Sequence, residues 1–599
     1  MVKIMLALVV IVPLIAAILG IAAVKDPKKA KYIAVAGSII SFASVALVGY
    51  GTATIPWLSV GVHVFNISIS VTPLNYLLLF LVLLVGVFVM VYSVGYMTTL
   101  SEHRRFFLEI IAFQTAMAVF AVSGNFITLF FAWEFLSLTS YLLIGFWNHR
   151  DSANRAARRS LTIIFIGDLA LLGSIIMFWS AFGTLEFSSI ISMLSSVHPA
   201  GVSIASMLLL IAIFTKSAQF PFHEWLIDAM EGPTPVSAFL HSSTMVKAGV
   251  FVAIILAPIF YVGGTDGFMV AIGIVTAVIA TVAAAREMHI KKVIAYSTIQ
   301  ELSIMLVAAG SSFILPAIYF FFAQTFYKAL LFFSSGVSME STGKENLNDM
   351  YGLRSSKILY ASTIFGVLSL AGFIPFSGFF ASSLIGTSLL SNTVVYAIML
   401  GISMLTSFYI FRWVSFQART TKSVEITANY MSTPANMKYP IALLAAFTLL
   451  ASAFIIYMPG FLNYGGYLNY LSIPNSVNLS IQDGILFTIL VSAGAALAYL
   501  VYYKNIIKFS AKSMDIFLYT RPIMNLIYRV FTMVTYGIAE GASVFDSYLS
   551  DGFDMLGRLT YRSGYILRRA SVGDINMYAL IFIIGIIALL IPFYLLVIV

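Results

Sequence analysis

Long apolar runs separated by short polar stretches dominate the pattern of the chain. A bilayer core takes about 20 apolar residues per helix, and runs of this length recur from one end of the sequence to the other. We predict sixteen membrane-spanning helices, near residues 3–24, 32–52, 74–97, 106–122, 125–147, 160–180, 201–227, 234–260, 268–285, 293–310, 313–336, 358–386, 390–411, 439–462, 484–503 and 574–598. The predicted fold class is therefore an all-α integral membrane protein. A signal peptide is the alternative for the first run, but no small-residue cleavage pattern follows it, which favours a retained helix.

Lysine and arginine positions support this span count. Basic residues follow the odd-numbered spans, as at Lys28, Arg104 and Arg155, whereas the loops after even-numbered spans contain none. The positive-inside rule then predicts cytoplasmic basic loops and two outward-facing termini in a cell (inner) membrane. The net charge of +9 follows from this topology, so we expect lipid and not nucleic acid around the chain.

The stretch 509–572 differs from the predicted spans because it mixes apolar with charged residues. Reading part of it as another span would move four arginines to the outside. We therefore predict a lateral amphipathic helix on the cytoplasmic face, interrupted near Pro522. A folded cytoplasmic loop is the alternative.

Two predicted spans contain a proline within a polar or glycine-containing interruption, at Pro221 and Pro375. They lie five spans apart and would cross the membrane in opposite directions, as the broken helices of an inverted-repeat transporter do. Two ordinary proline kinks are the alternative. The predicted organisation is helices 1–3 (1–105), a first five-helix repeat (106–260), a second inverted repeat (261–411), helices 14–15 (412–508), the lateral helix (509–572) and the last span (573–599).

Seven ionisable residues lie inside the predicted spans, where each charge costs about 2.5–3.5 kcal/mol on insertion scales. They are Glu134, Asp168, Lys216, His241, Lys247, Glu301 and Lys328. Several share one depth, which predicts a mid-membrane polar axis that carries protons. We expect Lys216 and Glu134 to act as the central pair of the first half and Lys328 to pair with Glu301. Structural salt bridges between helices are the alternative.

The chain contains no cysteine, which excludes disulfides, thiolate-bound iron–sulfur clusters and cysteine-type zinc sites. Any electron transfer must therefore occur in another subunit. We predict no cofactor, metal or catalytic residue in this chain and place redox cofactors and a quinone site in partner subunits.

Four segments resemble the antiporter-like membrane subunits of respiratory complex I, the NADH-quinone oxidoreductase chain 5 family. They are FAWEFLSLTSYLLIGFW (131–147), KSAQFPFHEWLIDAMEGPTPVSAFLHSSTMVKAGVF (216–251), IKKVIAYST (290–298) and FYKALLFFSSG (326–336). The long lateral stretch and the last span resemble the largest such subunit, and TMVKAGVF is also similar to the large subunit of Mrp sodium/proton antiporters. The resemblance implies proton translocation and membrane partners that include another antiporter-like subunit.

On this resemblance, the family's functional positions correspond to Glu134, Lys216, His241, Lys247 and Lys328. The chain departs from the family pattern at Ser382 and Ser383, where a lysine and an acid are usual, and at His289, Gln324 and Glu301. The proton channel of the second repeat is therefore either closed or uses Glu301 in place of the missing charges.

Three functions stay open from the sequence. The chain is a redox-driven proton-translocating subunit, or a subunit of an Mrp-type antiporter or membrane-bound hydrogenase-type complex, or a scaffold whose charges only join helices. The proteins that co-purify with it would separate the first two.

Overall fold

The computed structural model describes residues 2–60, 63–194, 199–419, 423–463, 480–504, 517–570 and 584. These residues form a helical protein with one β-hairpin. The helices are α1 (Val2–Ala23), α2 (Pro27–Ser44), α3 (Pro73–Tyr96), α4 (His103–Ala121), α5 (Phe126–Ile144), α6 (Asp151–Phe182), α7 (Phe187–Met193), α8 (Pro199–Lys216), α9 (Glu224–Asp228), α10 (Thr234–Ser242), α11 (Met245–Ile255), α12 (Ala257–Gly263), α13 (Asp266–Arg286), α14 (Ile290–Gly310), α15 (Ile314–Thr342), α16 (Lys357–Ala371), α17 (Ser377–Ser388), α18 (Thr393–Gln417), α19 (Val424–Ser432), α20 (Ala435–Leu462), α21 (Ile481–Ala498) and α22 (Phe517–Ala570). The strands are β1 (Gly51–Val60) and β2 (His63–Val71), short 3₁₀ turns occupy Val45–Leu47, Leu100–Glu102, Ala229–Glu231, Leu347–Asp349 and Leu353–Ser355, and a π turn, Tyr499–Tyr503, extends α21.

Eleven helical segments in the described ranges are long and apolar enough to cross a membrane. Helices occupy every predicted span from the first to the fifteenth, but several are too short or too interrupted to meet that standard. The apolar parts of α8 and α16, for example, cover only Gly201–Lys216 and Lys357–Ala371. The chain is thus a multi-pass membrane protein, while the number sixteen stays a prediction and the last span lies outside the described residues except for Ile584.

The expectation of a purely α-helical chain is wrong, because β1 and β2 form an antiparallel hairpin. From Phe65 to Val71, apolar residues alternate with Asn66, Ser68 and Ser70, and this period of two is the pattern of a strand. Hydrogen bonds attach β2 of this hairpin to the residues just before α5 begins. Asn125, whose side chain caps α5, also donates from Nδ2 to Asn66 O at 2.8 Å, and Gly124 N donates to Ser68 O at 2.9 Å.

Both predicted helix breaks are present. α8 ends at Lys216 and α9 begins at Glu224, on either side of Pro221; α16 ends at Ala371 and α17 begins at Ser377, on either side of Pro375. Both proline peptide bonds are cis. A third break was not predicted: the segment 234–260 is divided between α10, α11 and α12.

Three helical segments form the centre of the protein. The most apolar windows of Thr234–Ile255, Ile290–Gly310 and Ile314–Thr342 are 100% buried, whereas the corresponding figure for Ile481–Tyr503 is 28%. The central segments are therefore surrounded by other helices and the peripheral ones face lipid. The same central segments carry His241, Lys247, Glu301 and Lys328, so these charges lie in protein and not in hydrocarbon.

The chain divides into two compact units, one ending at Phe517 and the other beginning at Leu518. In the second unit, α22 is one helix of 54 residues, which corresponds to about 80 Å at 1.5 Å per residue. The helix continues through Pro522 without the predicted interruption. The alternative prediction of a folded loop is therefore wrong for residues 517–570. Its position on the cytoplasmic face stays a prediction, as do the predicted domain boundaries.

Candidate functional site

A buried lysine–carboxylate pair joins the end of α8 to α6. Lys216 Nζ lies 3.7 Å from Asp168 Oδ1, and both side chains are almost fully buried. Lys216 also donates to Ser137 Oγ at 2.6 Å and to Trp133 O at 3.1 Å, both on α5. Asp168 accepts from Trp133 Nε1 at 2.7 Å and from Ser137 Oγ at 3.0 Å. The charges are therefore hydrogen-bonded on both sides, which a buried pair requires.

The local sequence places Lys216 at a helix end. Pro221 has no N–H to continue α8, and Trp225 Nε1 donates back to Thr215 O at 2.8 Å, which folds the connection under the helix. A positive charge in the last turn also complements the helix dipole. Gly249 on α11 allows this close packing, since a Cβ there would meet Ser217 Oγ at 2.3 Å.

The carboxylate in contact with Lys216 is that of Asp168 and not that of Glu134, and the role of Lys216 and Glu134 as the central pair of the first half stays a prediction. Trp133 and Ser137, one turn apart on α5, face inward, and the helical period turns Glu134 away by about 100°. Glu134 is half-buried next to the exposed Phe131, Phe135 and Leu138. Glu134 makes no ion pair with a described residue and lies within electrostatic range of Asp168 and Lys216.

A second buried pair joins α14 and α15. Lys328 Nζ lies 2.8 Å from Glu301 Oε2 and 2.6 Å from Ser297 Oγ. Glu301 also accepts from Tyr327 OH and from Gln324 Nε2, each at 3.0 Å. The expected Glu301–Lys328 contact is present, and Gln324, one of the departures from the family pattern, is a direct neighbour of the carboxylate.

Lys247 and His241 lie in the two halves of the divided segment and make no ion pair with described residues. Lys247 Nζ donates to Phe321 O at 2.5 Å and to Thr325 Oγ1 at 2.6 Å. His241 packs against Phe332, with ring centroids 4.7 Å apart. Both side chains are fully buried, and within the described chain neither imidazole nitrogen has a hydrogen-bond partner.

A polar network on α18 extends the second pair and was missed in the sequence. Gln300, beside Glu301 on α14, donates from Nε2 to Thr406 Oγ1 at 2.9 Å and accepts from Tyr409 OH at 2.8 Å. The sequence feature that could have indicated this network is Gln300, a glutamine directly before Glu301 in the middle of the predicted span. The α17 segment after the second break brings no charge, and Ser383 is buried there.

Two basic residues that follow odd-numbered predicted spans, Arg412 and Lys291, are buried within helices and not exposed in loops. Arg412 on α18 donates to Ala284 O, Ala285 O and Glu287 O at the end of α13. Lys291, in the first turn of α14, donates to Met230 O and Gly232 O. Each cation donates hydrogen bonds to carbonyl oxygens at the end of a helix or turn, where these groups lack a backbone partner. These hydrogen bonds explain why the charged side chain is buried.

His289 lies between α13 and α14, and its Nε2 is 3.3 Å from Glu345 Oε2. Burial, reinforced by Lys291 and Lys292, lowers the pKa of His289 to about 3. The imidazole is therefore neutral at physiological pH, so its contact with Glu345 is not an ion pair. No group of three His, Cys, Asp or Glu side chains suited to a metal ion occurs among the residues described.

The fold and the buried pairs define a multi-pass helical membrane protein with ionisable groups inside its core. Two family descriptions match: "NADH:quinone oxidoreductase/Mrp antiporter, TM" at residues 123–409, and "NADH-Ubiquinone oxidoreductase (complex I), chain 5 N-terminus" at residues 57–107. NADH-quinone oxidoreductase subunit L of Mycobacterium tuberculosis is 31% identical over 74% of this chain and 72% of its own. The chain belongs to this family of antiporter-like subunits.

Two further relatives are an antiporter protein and a quinone oxidoreductase subunit. A Na(+)/H(+) antiporter protein of Alkalihalophilus pseudofirmus is 34% identical over 57% of this chain, and the aligned part spans 45% of that relative. The chloroplastic NAD(P)H-quinone oxidoreductase subunit 5 of Draba nemorosa is also 34% identical, with 49% of its length aligned. The chain thus spans about half the length of these two relatives.

Solved structures support the fold. The Mrp complex from Dietzia sp. contains a chain that matches with a TM-score of 0.72 at 22% identity, over 98% of this chain and 62% of that chain. A chain of the archaeal membrane-bound sulfane sulfur reductase matches with a TM-score of 0.68 at 16% identity, over 82% of this chain and 99% of that chain.

Proposed function

We propose that this chain is the proton-translocating membrane subunit of a complex I-type oxidoreductase that transfers electrons from NADH or another donor to a quinone. The observation that carries the proposal is the presence of two buried lysine–carboxylate pairs, Lys216–Asp168 and Lys328–Glu301. Between them in the chain lies Lys247, which has hydrogen-bond acceptors but no ion-pair partner among the described residues.

Proton transfer follows from the physical chemistry of a buried lysine. Burial disfavours its charged form and a neighbouring ionised carboxylate favours it. A lysine beside its carboxylate therefore holds a proton, and it releases the proton when the carboxylate is neutralised or moves away. Lys216, His241, Lys247 and Lys328 are the proposed stations, with Asp168, Glu134 and Glu301 as the acids that control them.

The proposed topology keeps sixteen spans and two inverted repeats around the breaks at Pro221 and Pro375. Both termini lie outside, and the basic loops and α22 lie on the cytoplasmic side of a cell (inner) membrane. The two helix breaks at Pro221 and Pro375 support this arrangement, since inverted-repeat transporters contain a pair of broken helices.

Other membrane subunits, including another antiporter-like subunit, are the proposed partners, and they or their neighbours hold the redox cofactors and the quinone site. One surface supports this. Glu134 lies half-buried among exposed aromatic and aliphatic side chains of α5, where a carboxyl group facing hydrocarbon is costly. A neighbouring subunit over this face would remove it from lipid.

The experiment is Lys216→Ala in the assembled complex, with proton flux per electron measured in reconstituted vesicles. We expect normal assembly on a native gel and reduced proton pumping, because Asp168 loses the cation that it controls. Lys344→Ala, at an exposed position, is the control and should pump normally. Normal pumping by an assembled Lys216→Ala complex would leave a structural scaffold as the function.

A second candidate is membership of an Mrp-type sodium/proton antiporter or a membrane-bound hydrogenase-type complex. The observation that favours it is the 34% identity to the Na(+)/H(+) antiporter protein of Alkalihalophilus pseudofirmus.

A further inference from the structure

A polar cavity lies at the C-terminal end of α15, away from the two lysine–carboxylate pairs. Its volume is about 200 Å³, and its polar lining includes Glu340, Ser341, Asn429, Ser432 and Thr433. Glu340 is exposed, and it lies twelve residues beyond Lys328 on the same helix, about 18 Å further along the axis. Lys344 and Arg354 follow in the next loop. The cavity is therefore at the end of α15 that meets water.

Two tyrosines of α3 lie behind Glu340. Tyr92 and Tyr96 both interact electrostatically with the Glu340 carboxylate. The Tyr96 hydroxyl is 3.2 Å from Thr234 Oγ1 on α10. Gly95 brings α3 against the cavity wall, since a Cβ there would lie 2.9 Å from Cγ of Met437, a residue of α20 that lines the cavity. Tyr96 thus contacts α10 and lies next to Gly95, where α3 packs against the cavity wall.

The approach of α3, α10 and α15 depends on Gly336. A Cβ at this position would lie 2.6 Å from the Tyr92 hydroxyl and 2.9 Å from Thr234 Cγ2. Tyr92 donates to Phe333 O at 3.0 Å, which holds its hydroxyl at this junction. Hydroxyl groups from two helices therefore meet against the backbone of α15.

The polar row formed by Glu340, Tyr96 and Thr234 leads inward to His241. Thr234 and His241 are seven residues apart on α10, so they share a face and are about 10.5 Å apart along the helix axis. The hydroxyls of Ser242 on α10 and Ser334 on α15 are also buried and have no hydrogen-bond partner in the described part of the chain. Buried polar groups of this kind bind bridging water. His241 is thus the unpartnered group toward which the polar row leads.

We propose that Glu340, Tyr96, Thr234 and His241 form the inlet through which protons pass from the aqueous phase to the buried lysines. The Glu340 carboxylate takes a proton from water. Each hydroxyl then accepts one proton and donates its own, and the imidazole accepts a proton on one nitrogen and releases one from the other. No group is consumed, and the net change is one proton moved inward. The inference rests on the proposed function and names the uptake path for it.

The first test is Glu340→Gln in the assembled complex, with the initial rate of proton uptake measured in vesicles. The amide keeps the shape of the side chain but cannot carry a proton, so uptake should fall severalfold, and Glu340→Asp should restore part of it. Asp349→Asn, at an exposed acid outside the cavity, should leave uptake unchanged. If uptake is normal in Glu340→Gln but lost in Lys216→Ala, the inlet is refuted while the proposed function stands.

A second test does not depend on replacing Glu340. Because the chain has no cysteine, Ser432→Cys introduces one thiol into it, at the cavity. A cationic, membrane-impermeant thiol reagent applied to the side of the basic loops should label this thiol and slow proton uptake. Ser101→Cys, exposed in the basic loop after α3, is the matched control on the same side, and its labelling should not affect uptake. Complete labelling of Ser432→Cys with normal uptake would overturn the inlet.

Discussion

Asp168 and Glu134 are two acids near one lysine, and their surroundings differ. Asp168 is buried and contacts Lys216, Trp133 and Ser137, whereas Glu134 is half-buried and makes no ion pair with described residues. Removing one member of a buried pair leaves the other charge without compensation, at a cost of about 3–5 kcal/mol. The two acids should therefore respond differently to neutralisation.

We expect Asp168→Asn to lower both proton pumping and the thermal stability of the complex in detergent, because Lys216 keeps its burial and loses its carboxylate. Glu134→Gln should lower pumping with a much smaller change in melting temperature. Equal losses of stability in the two variants would contradict the assignment of Asp168 as the direct partner.

Glu301 is the acid of the second pair, and α17 brings no charged group to it. Glu301→Gln should lower the number of protons pumped per electron, because Lys328 then lacks the carboxylate that controls its proton. Installing lysine at Ser382 in the same chain should make this loss milder. Glu425→Gln, at an exposed acid, serves as the control. Unchanged stoichiometry in Glu301→Gln would indicate a closed second channel.

At the scale of elements, the sequence predicted the structure best where a single residue type determines the backbone conformation. Pro221 and Pro375 predicted both helix breaks because proline lacks the N–H that a helix requires. The break after Ser242 has no such residue. Thr244 Oγ1 donates to Phe239 O at 2.6 Å there, and the division depends on how α10 and α11 pack against neighbouring helices. Tertiary contacts of this kind leave no periodic signal.

Basic side chains show the same limit. The rule that lysine and arginine mark cytoplasmic loops assigned Arg412 and Lys291 to loops, since both lie near the ends of apolar runs. Their actual partners are backbone carbonyls of sequence-distant segments, such as Ala284 O for Arg412. Likewise, Asp168 and Glu134 could not be ranked without the rotation of α5. The seven ionisable residues inside the spans could be predicted, but the burial of Arg412 and Lys291 could not, and the pairing of the buried charges only in part.

The second unit provides a prediction about α22. Where its side chains are described, charged residues such as Asp546 and Asp554 are interspersed with exposed large apolar ones such as Phe545, Tyr548 and Phe553. An amphipathic helix of this length offers a long apolar face for neighbouring subunits or the membrane surface. Truncating the chain after Lys508 should loosen its attachment to the complex on a native gel. Attachment at normal yield would contradict a clamping role for this segment.

At the scale of the whole molecule, fold and family do not separate a respiratory complex from an antiporter, because both kinds of relative match. The chain's neighbours do. We expect purification of the native complex in mild detergent to yield iron–sulfur and quinone-site subunits together with another antiporter-like chain. Small antiporter subunits without redox proteins would instead identify the Mrp-type assembly. Mass spectrometry of the purified complex distinguishes these outcomes.

The contact between Lys216 and Trp133 gives the first pair an optical property. The ammonium lies 4.6 Å from the centre of the indole ring, and the indole N–H donates to the carboxylate of Asp168. A charge this close to an aromatic ring interacts strongly with its electrons, and the emission wavelength of indole depends on the electric field across it. A change in the charge of the pair should therefore shift Trp133 fluorescence. With six tryptophans in the chain, the difference spectrum between the native chain and a Trp133→Phe chain would isolate this signal, so the pair contains a fluorophore that reports its own charge state.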